Sequence, residues 1–407
     1  MKKLKLKEVS EIYGGYAFKS KDFGVGENLV VKIKDIKPPI IDVENADKVD
    51  VSKYSTQKLE KFKVFPDDIV IAMTGATIGK VGRNKSGRTV FLNQRVAKIN
   101  PNFKEDLDFI YYCINNTVFL EYVLNNVDSK SAQANISHFG IGNFEINWYD
   151  RETRQKIAKV LTCLDDKIFI NSQINQELEV MAKTLYDYWF VQFDFPDQNG
   201  KPYKSSGGKM VYNSELKREI PEGWGVEKLE KIANITMGQS PKGTSYNEVG
   251  EGMLFFQGST DFGWRFPVAR QYTTEPSRIA EEDDILLSVR APVGTLNIAD
   301  TRCCIGRGLA AINSKVGANS YIFNVMQDFK KLFDMINSVG TTFGSITKDD
   351  LYSLQLVYPP TELLMEFDQL VKSFDREIKN RSRQNQELNQ LRDWLLPMLM
   401  NGQVKVE

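Results

Sequence analysis

Histidine is nearly missing from this chain: His138 is the single one among 407 residues. A Ser-His-Asp relay or a two-histidine metal site therefore has little to be built from. Only four cysteines occur, Cys113, Cys163, Cys303 and Cys304, and none is spaced as a metal ligand pair. That usage predicts a reducing compartment, the cytoplasm. No apolar run approaches membrane-spanning length, and the Lys-rich start has no apolar stretch behind it, so neither a membrane span nor a signal peptide is expected. Net charge is also missing. Lys and Arg number 53 and Asp and Glu number 53, so no global basic field announces a polyanionic partner.

Glycine and proline are absent from two long stretches, Arg151 to Phe195 and Thr361 to Leu396. Within the first, Ile157, Leu161, Leu164, Ile168, Asn171, Asn175, Leu178, Ala182, Leu185 and Trp189 step by four and three, the seam of a helix that packs against another helix. Adding 210 to each number returns Phe367, Val371, Phe374, Ile378, Arg381, Asn385, Leu388, Arg392, Leu395 and Leu399. Asn175-Gln-Glu-Leu178 repeats as Asn385-Gln-Glu-Leu388 in the same register. Leu161, Leu164, Ile168, Asn175 and Leu178 are therefore expected to pair with Val371, Phe374, Ile378, Asn385 and Leu388. The polar middle of each seam, Asn171 and Asn175 or Arg381 and Asn385, fixes register at some cost in stability. Matching middles suit either a parallel or an antiparallel pair.

The intervening segments repeat as well. Leu6-Lys-Glu-Val-Ser-Glu-Ile12 resembles Leu229-Glu-Lys-Ile-Ala-Asn-Ile235, and Asp67-Asp-Ile-Val-Ile71 resembles Asp283-Asp-Ile-Leu-Leu287. The offset falls from 223 at Leu6 and Leu229 to 210 at Ile136 and Ile346, so scaffold positions match while loops differ. The order is mixed domain (1–150), helix (151–195), turn-rich linker with a hairpin (196–222), mixed domain (223–358) and helix (359–407). The expected class is α+β, two duplicated mixed α/β domains separated by two long antiparallel coiled-coil helices in a pseudo-twofold arrangement. A pseudo-twofold relation between the halves would set those helices antiparallel. Leu29–Ile33 and Ile69–Met73 read as strands and Phe109–Val123 as one helix. Asp150 is expected to cap the first long helix and Pro360 to open the second.

Three stretches imitate catalytic motifs and fail on detail. Gly75-Ala-Thr-Ile-Gly79-Lys80 is one residue short of a phosphate loop, and Val81 stands where a magnesium-binding hydroxyl is required. Asn147-Trp-Tyr-Asp150 lacks the prolines of an amino-methyltransferase loop. Pro196-Asp197 with Glu215-Leu-Lys217 has a metal-nuclease spacing but lies in the turn-rich segment. A charge pattern is left. No acid occurs from Ile69 to Lys104, which holds Lys80, Arg83, Lys85, Arg88, Arg95 and Lys98. Asn93, Gln94 and Arg95 add side chains able to read base edges by paired hydrogen bonds. A weaker echo is Trp264, Arg265, Arg290, Arg302 and Arg307, the last two in an acid-free run from Thr301 to Gln327. These are the candidate DNA contacts. A solvated basic face is the bland alternative for each patch.

Taken together, Phe65-Pro-Asp-Asp-Ile-Val-Ile-Ala-Met-Thr-Gly75, Leu178 through Val191, Gly200-Lys-Pro-Tyr-Lys-Ser-Ser-Gly-Gly208, Ile220-Pro-Glu-Gly-Trp224 and Leu388-Asn-Gln-Leu-Arg-Asp-Trp-Leu-Leu-Pro397 with Gly402 resemble the specificity subunit of type I restriction–modification systems. The resemblance covers essentially the whole chain. It implies a non-catalytic subunit whose two target-recognition domains each bind half of an asymmetric, bipartite double-stranded DNA site. The helices would space the domains and dock two methyltransferase subunits, and restriction/translocase subunits would complete the enzyme. No cofactor is expected on this chain; S-adenosylmethionine, ATP and magnesium would belong to the partners. A stand-alone nuclease or methyltransferase, or a coiled-coil scaffold without DNA, are the alternatives.

Overall fold

A computed structural model describes residues 1–127, 134–338 and 344–406. The chain divides into two compact units, Met1–Ile170 with Asn385–Glu407, and Asn171–Gln384.

In the first unit the run Ile69–Ala72 is buried on both faces, which is why it reads as continuous apolar sequence rather than as an alternation. Ile69 and Ile71 face one core with Ala97 and Ile99, and Val70 and Ala72 face a second with Val96. The ladder runs Ser10–Gly14, Val96–Pro101, Ile69–Ala72, Val81–Arg83, with Ile99 opposite both Ile12 and Ile69. A smaller sheet, containing Phe23–Val31 and the parallel strand Val90–Leu92, covers the second face. The first face is covered by helical residues including Phe109, Ile110, Phe119, Leu161 and Leu399.

The second unit places its repeated segments likewise. Ala233–Met237, Leu309–Ser314, Ile285–Ser288 and Leu296–Ile298 form the ladder, and Ile312 stands opposite both Ile235 and Ile285. Leu286, Leu309 and Ala311 pack on the smaller sheet, where Met253–Phe256 and Cys303–Ile305 run parallel. Ile285, Leu287, Ala310 and Ile312 face a core shared with Tyr321, Met326, Phe367 and Val371.

Three local expectations need correction. The strand expected at Leu29–Ile33 spans Phe23–Val31, and Ile33 already begins a 3-10 turn. The helix expected from Phe109 to Val123 is broken into Leu107–Ile114 and Thr117–Asn125. The Asn116 side chain causes the break, accepting the Phe119 N–H at 2.9 Å and so capping the second piece. The segment 196–222 is not free linker. The expected hairpin is present, Met210–Asn213 with Arg218–Pro221, but Phe195, Ile220 and Trp224 enter the second unit's core. Aromatic side chains scattered among turn residues outweigh its polar composition.

The long helices span Arg151–Tyr186, with a π-turn to Val191, and Thr361–Met400. Asp150 caps the first, accepting the Thr153 N–H at 2.9 Å. The Pro360 carbonyl starts the second, accepting from Leu363 and Leu364 at 3.1 and 3.2 Å. The second runs through Pro397, which removes one donor near the helix end, because buried Leu396 and Leu399 hold the last turn to the core.

In the first unit Ile157 and Leu161 share a core with Leu396 and Leu399, Arg392 meets Asp165 at 2.9 Å, and Asn385 donates to the Ile168 carbonyl at 3.3 Å. In the second, Asn171 donates to Gln384 at 2.8 Å, Asn175 to Ser382 at 3.2 Å, and the Trp189 and Phe367 rings lie 5.8 Å apart. Numbers rise along one helix as they fall along the other in each unit. The pairing is antiparallel. Leu164, Ile168, Leu178, Phe374 and Leu388 are only half-buried, so the apolar seam thins toward the middle.

Arg381, expected in the polar layer, instead pairs with Glu377 on its own helix. Burying a guanidinium in the seam without a carboxylate costs more than turning it outward. Asn175 is 3% exposed and its Oδ1 has no partner. Asn175→Leu is therefore expected to stabilise the protein by about 1 kcal/mol, the lower end for a buried unsatisfied acceptor. Calorimetry checks this, and a lowered unfolding midpoint would show that leucine does not fit the layer. None of the helices is long and apolar enough to cross a membrane, among the described residues.

Candidate nucleic-acid interface

Exposure and pairing sort the candidate cations. Arg83 is 6% exposed, its Nη2 is 2.6 Å from Asp108, and its guanidinium lies over the Tyr111 ring at 5.0 Å. Lys98 is 4% exposed, pairs with Asp68 and donates to the Lys63 carbonyl at 3.2 Å. Arg265 is 6% exposed and held by Glu179 at 3.2 Å and Asp375 at 2.6 Å. A buried cation already surrounded by carboxylate oxygens is not available to phosphate, so these three are structural residues rather than DNA contacts. Lys85 is half-buried and shared between Asp67 at 3.0 Å and Asp166 at 3.6 Å, which ties it to the first long helix.

Lys80, Gln94, Arg95, Arg290 and Arg307 are exposed. So are Arg88 and Arg302, though acids lie beside them, Glu44 at 3.4 Å and Glu281 at 3.1 Å. Exposed pairs of this kind are weak and exchange readily for phosphate. Trp264 is 49% exposed, next in the chain to the buried Arg265.

Gln94, Arg95 and Arg307 share one local construction. The Val96 N–H donates to the Asn93 carbonyl at 2.9 Å, closing a four-residue turn with Gln94 and Arg95 at its apex. The Leu309 N–H donates to the Gly306 carbonyl at 2.9 Å, closing Gly306-Arg307-Gly308-Leu309 the same way. Each turn joins the parallel strand of the smaller sheet to the central strand of the ladder. Each is also pressed against a glycine. A Cβ on Gly15 would lie 2.3 Å from the Asn93 carbonyl oxygen, and one on Gly238 would lie 2.2 Å from that of Gly306. Backbone thus approaches backbone at a distance only glycine allows, which pins each turn.

Sequence reading missed the support around Arg307. Gln257 Nε2 donates to Ser240 Oγ at 2.9 Å, and that hydroxyl accepts the Arg307 N–H at 3.4 Å. These residues are 17 and 67 positions apart, so no local window groups them. Of the catalytic lookalikes, Asp197 is a turn residue that accepts the N–H groups of Asn199 and Lys201, both at 2.8 Å. No cluster of His, Cys, Asp and Glu suited to a metal ion exists among the described residues.

A rigid turn presenting Gln and Arg at its apex can offer paired hydrogen bonds to adenine and guanine edges. Residues 1–180 and 221–390 match the type I restriction modification DNA specificity domain. This chain belongs to the family of type I restriction–modification specificity subunits. The specificity subunit is 30% identical over 388 residues to the putative type I restriction enzyme MjaX specificity subunit of Methanocaldococcus jannaschii, covering 93% of this chain and 87% of that one. It is 26% identical over 428 residues to the MjaIX specificity subunit of the same organism, covering 99% and 93%. The crystal structure of the type I restriction–modification S subunit from M. genitalium superposes with a TM-score of 0.61 at 14% identity, covering 98% and 96%, a likeness of fold.

Proposed function

We propose that this specificity subunit carries no chemistry of its own and reads a bipartite duplex site through two copies of one scaffold. The Asn93–Val96 turn takes one half-site and the Gly306–Leu309 turn the other. The observation that carries this is the recurrence of a glycine-pinned turn at the same junction of each unit, with Gln94 and Arg95 exposed at one apex and Arg307 at the other. Lys80 and Arg88 in the first unit, and Arg290 and Arg302 in the second, supply phosphate contacts. The paired helices set the distance between half-sites and dock two methyltransferase subunits. Restriction/translocase subunits join them in the cytoplasm, and S-adenosylmethionine, ATP and magnesium are bound by those partners.

The seam from Ile157 to Trp189 spans roughly 48 Å at 1.5 Å per residue. Removing one heptad from each helix shortens it by roughly 10 Å. The spacer between half-sites is therefore expected to shrink by about three base pairs at 3.4 Å each, with both half-sites unchanged. Sequencing the methylated sites in cells carrying the variant measures this. An unaltered spacer would remove the ruler from the reading.

A further inference from the structure

In the second unit, the contact between the recognition domain and the helix pair changes character along the helices. At one end it is aromatic. Phe367, Tyr186, Phe190 and Tyr321 are buried, with the Phe190 ring 4.9 Å from both Phe367 and Tyr321. Farther along it becomes ionic. Arg265 reaches from its loop to Glu179 of the first helix and Asp375 of the second, and stacks over Phe323 at 4.0 Å. Ser320 Oγ bonds the other Asp375 oxygen at 3.1 Å. Beyond it Lys379 meets Glu282 and Asp283, both at 2.7 Å, and Arg383 meets Asp300 at 3.0 Å. Asp375, Lys379 and Arg383 follow one another by four residues, one stripe of the second helix.

The two ends constrain different things. Apolar burial is non-directional and tolerates small rotations, whereas charge-assisted hydrogen bonds fix orientation. We propose that Arg265, Lys379 and Arg383 form a clasp that sets the angle of the second recognition domain on the helices, making them determinants of the spacer length the enzyme accepts. They are positioning residues, and the inference rests on the bipartite reading above. From Phe367 to Arg383 is roughly 24 Å along the helix. A rotation of about 8° about the aromatic end moves a point that far away by about 3.4 Å, one base-pair step. Loss of the clasp therefore admits sites one base pair too long or too short, while each domain still reads its own bases.

The test uses the complex with its methyltransferase partner and duplexes carrying the preferred spacer, or one base pair more or fewer. Lys379→Ala and Arg383→Asp alter partly exposed residues and keep the test informative if Arg265→Met fails to fold. Each is expected to raise relative binding and methylation of the off-length duplexes at least ten-fold, with single-base discrimination inside both half-sites unchanged. Adding Asp300→Arg to Arg383→Asp should restore the narrow spacer preference, which a merely destabilising change would not allow. Unchanged spacer preference in both single variants, with a fixed spacer in the unaltered complex, overturns the clasp alone. An unaltered complex without a fixed-spacer bipartite site overturns the underlying reading, and the clasp with it.

Discussion

Alanine at Gly238 is expected to erase discrimination in the second half-site while the first is read normally. The new Cβ would lie 2.2 Å from the Gly306 carbonyl oxygen and 2.8 Å from that of Leu309, and neither is the end of a flexible side chain. The turn holding Arg307 must move by about 1 Å to restore van der Waals contact. A paired hydrogen bond to a base edge discriminates by about 1–3 kcal/mol, so losing it costs roughly 5- to 150-fold at that position. Gly15→Ala should do the same to the first half-site through Gln94 and Arg95. Arg307→Ala and Arg95→Ala should reproduce each effect without backbone strain. Affinities for the preferred duplex and for single-base variants decide it. Equal losses in both half-sites from either glycine variant would show that the turns are scaffold and that recognition lies elsewhere.

The largest stability effect is expected at Phe367. Its ring is fully buried, with centroids 4.9 Å from Phe190, 5.8 Å from Trp189 and 6.3 Å from Tyr186. Phe367→Ala leaves a cavity that three rigid aromatic neighbours cannot close, so a loss of about 3–5 kcal/mol is expected. Denaturant unfolding measures it. A cost below about 1 kcal/mol would mean that the cluster collapses into the space and does not anchor the second helix.

The helix pair and the central strand at Ile69–Ala72 were legible because they depend on patterns a single chain displays. A seam stepping by four and three, repeated 210 residues later with the same Asn-Gln-Glu-Leu, leaves little freedom for Leu161 or Val371. The direction of pairing was legible only through connectivity: matched polar middles suit both orientations, whereas a pseudo-twofold relation between repeated halves requires the antiparallel one. Contacts such as Arg392 with Asp165 agree with that expectation. Which cations stand exposed was half legible. An acid-free run marks cations that lack nearby partners in sequence, but Arg83, Lys98 and Arg265 find carboxylates 25, 30 and up to 110 residues away. Charge in a window and charge on a surface are different quantities. Arg95 and Arg307 stand exposed because each sits on a short local turn.

The first unit is assembled from two stretches of chain separated by the whole of the second. Its core sets Ile157 and Leu161 beside Leu396 and Leu399, so roughly 230 residues must leave the ribosome between one side of that contact and the other. At about 5–20 residues per second, the first recognition domain waits on the order of 10–50 s with part of its apolar face uncovered. The second unit is continuous in the chain and can close during that interval. Synthesis thus imposes a sequence of events opposite to the numbering: the half made later is completed first. A message broken just after Gln384 would yield a nascent chain with one finished unit and one sticky, unfinished one, a substrate for chaperones and proteases.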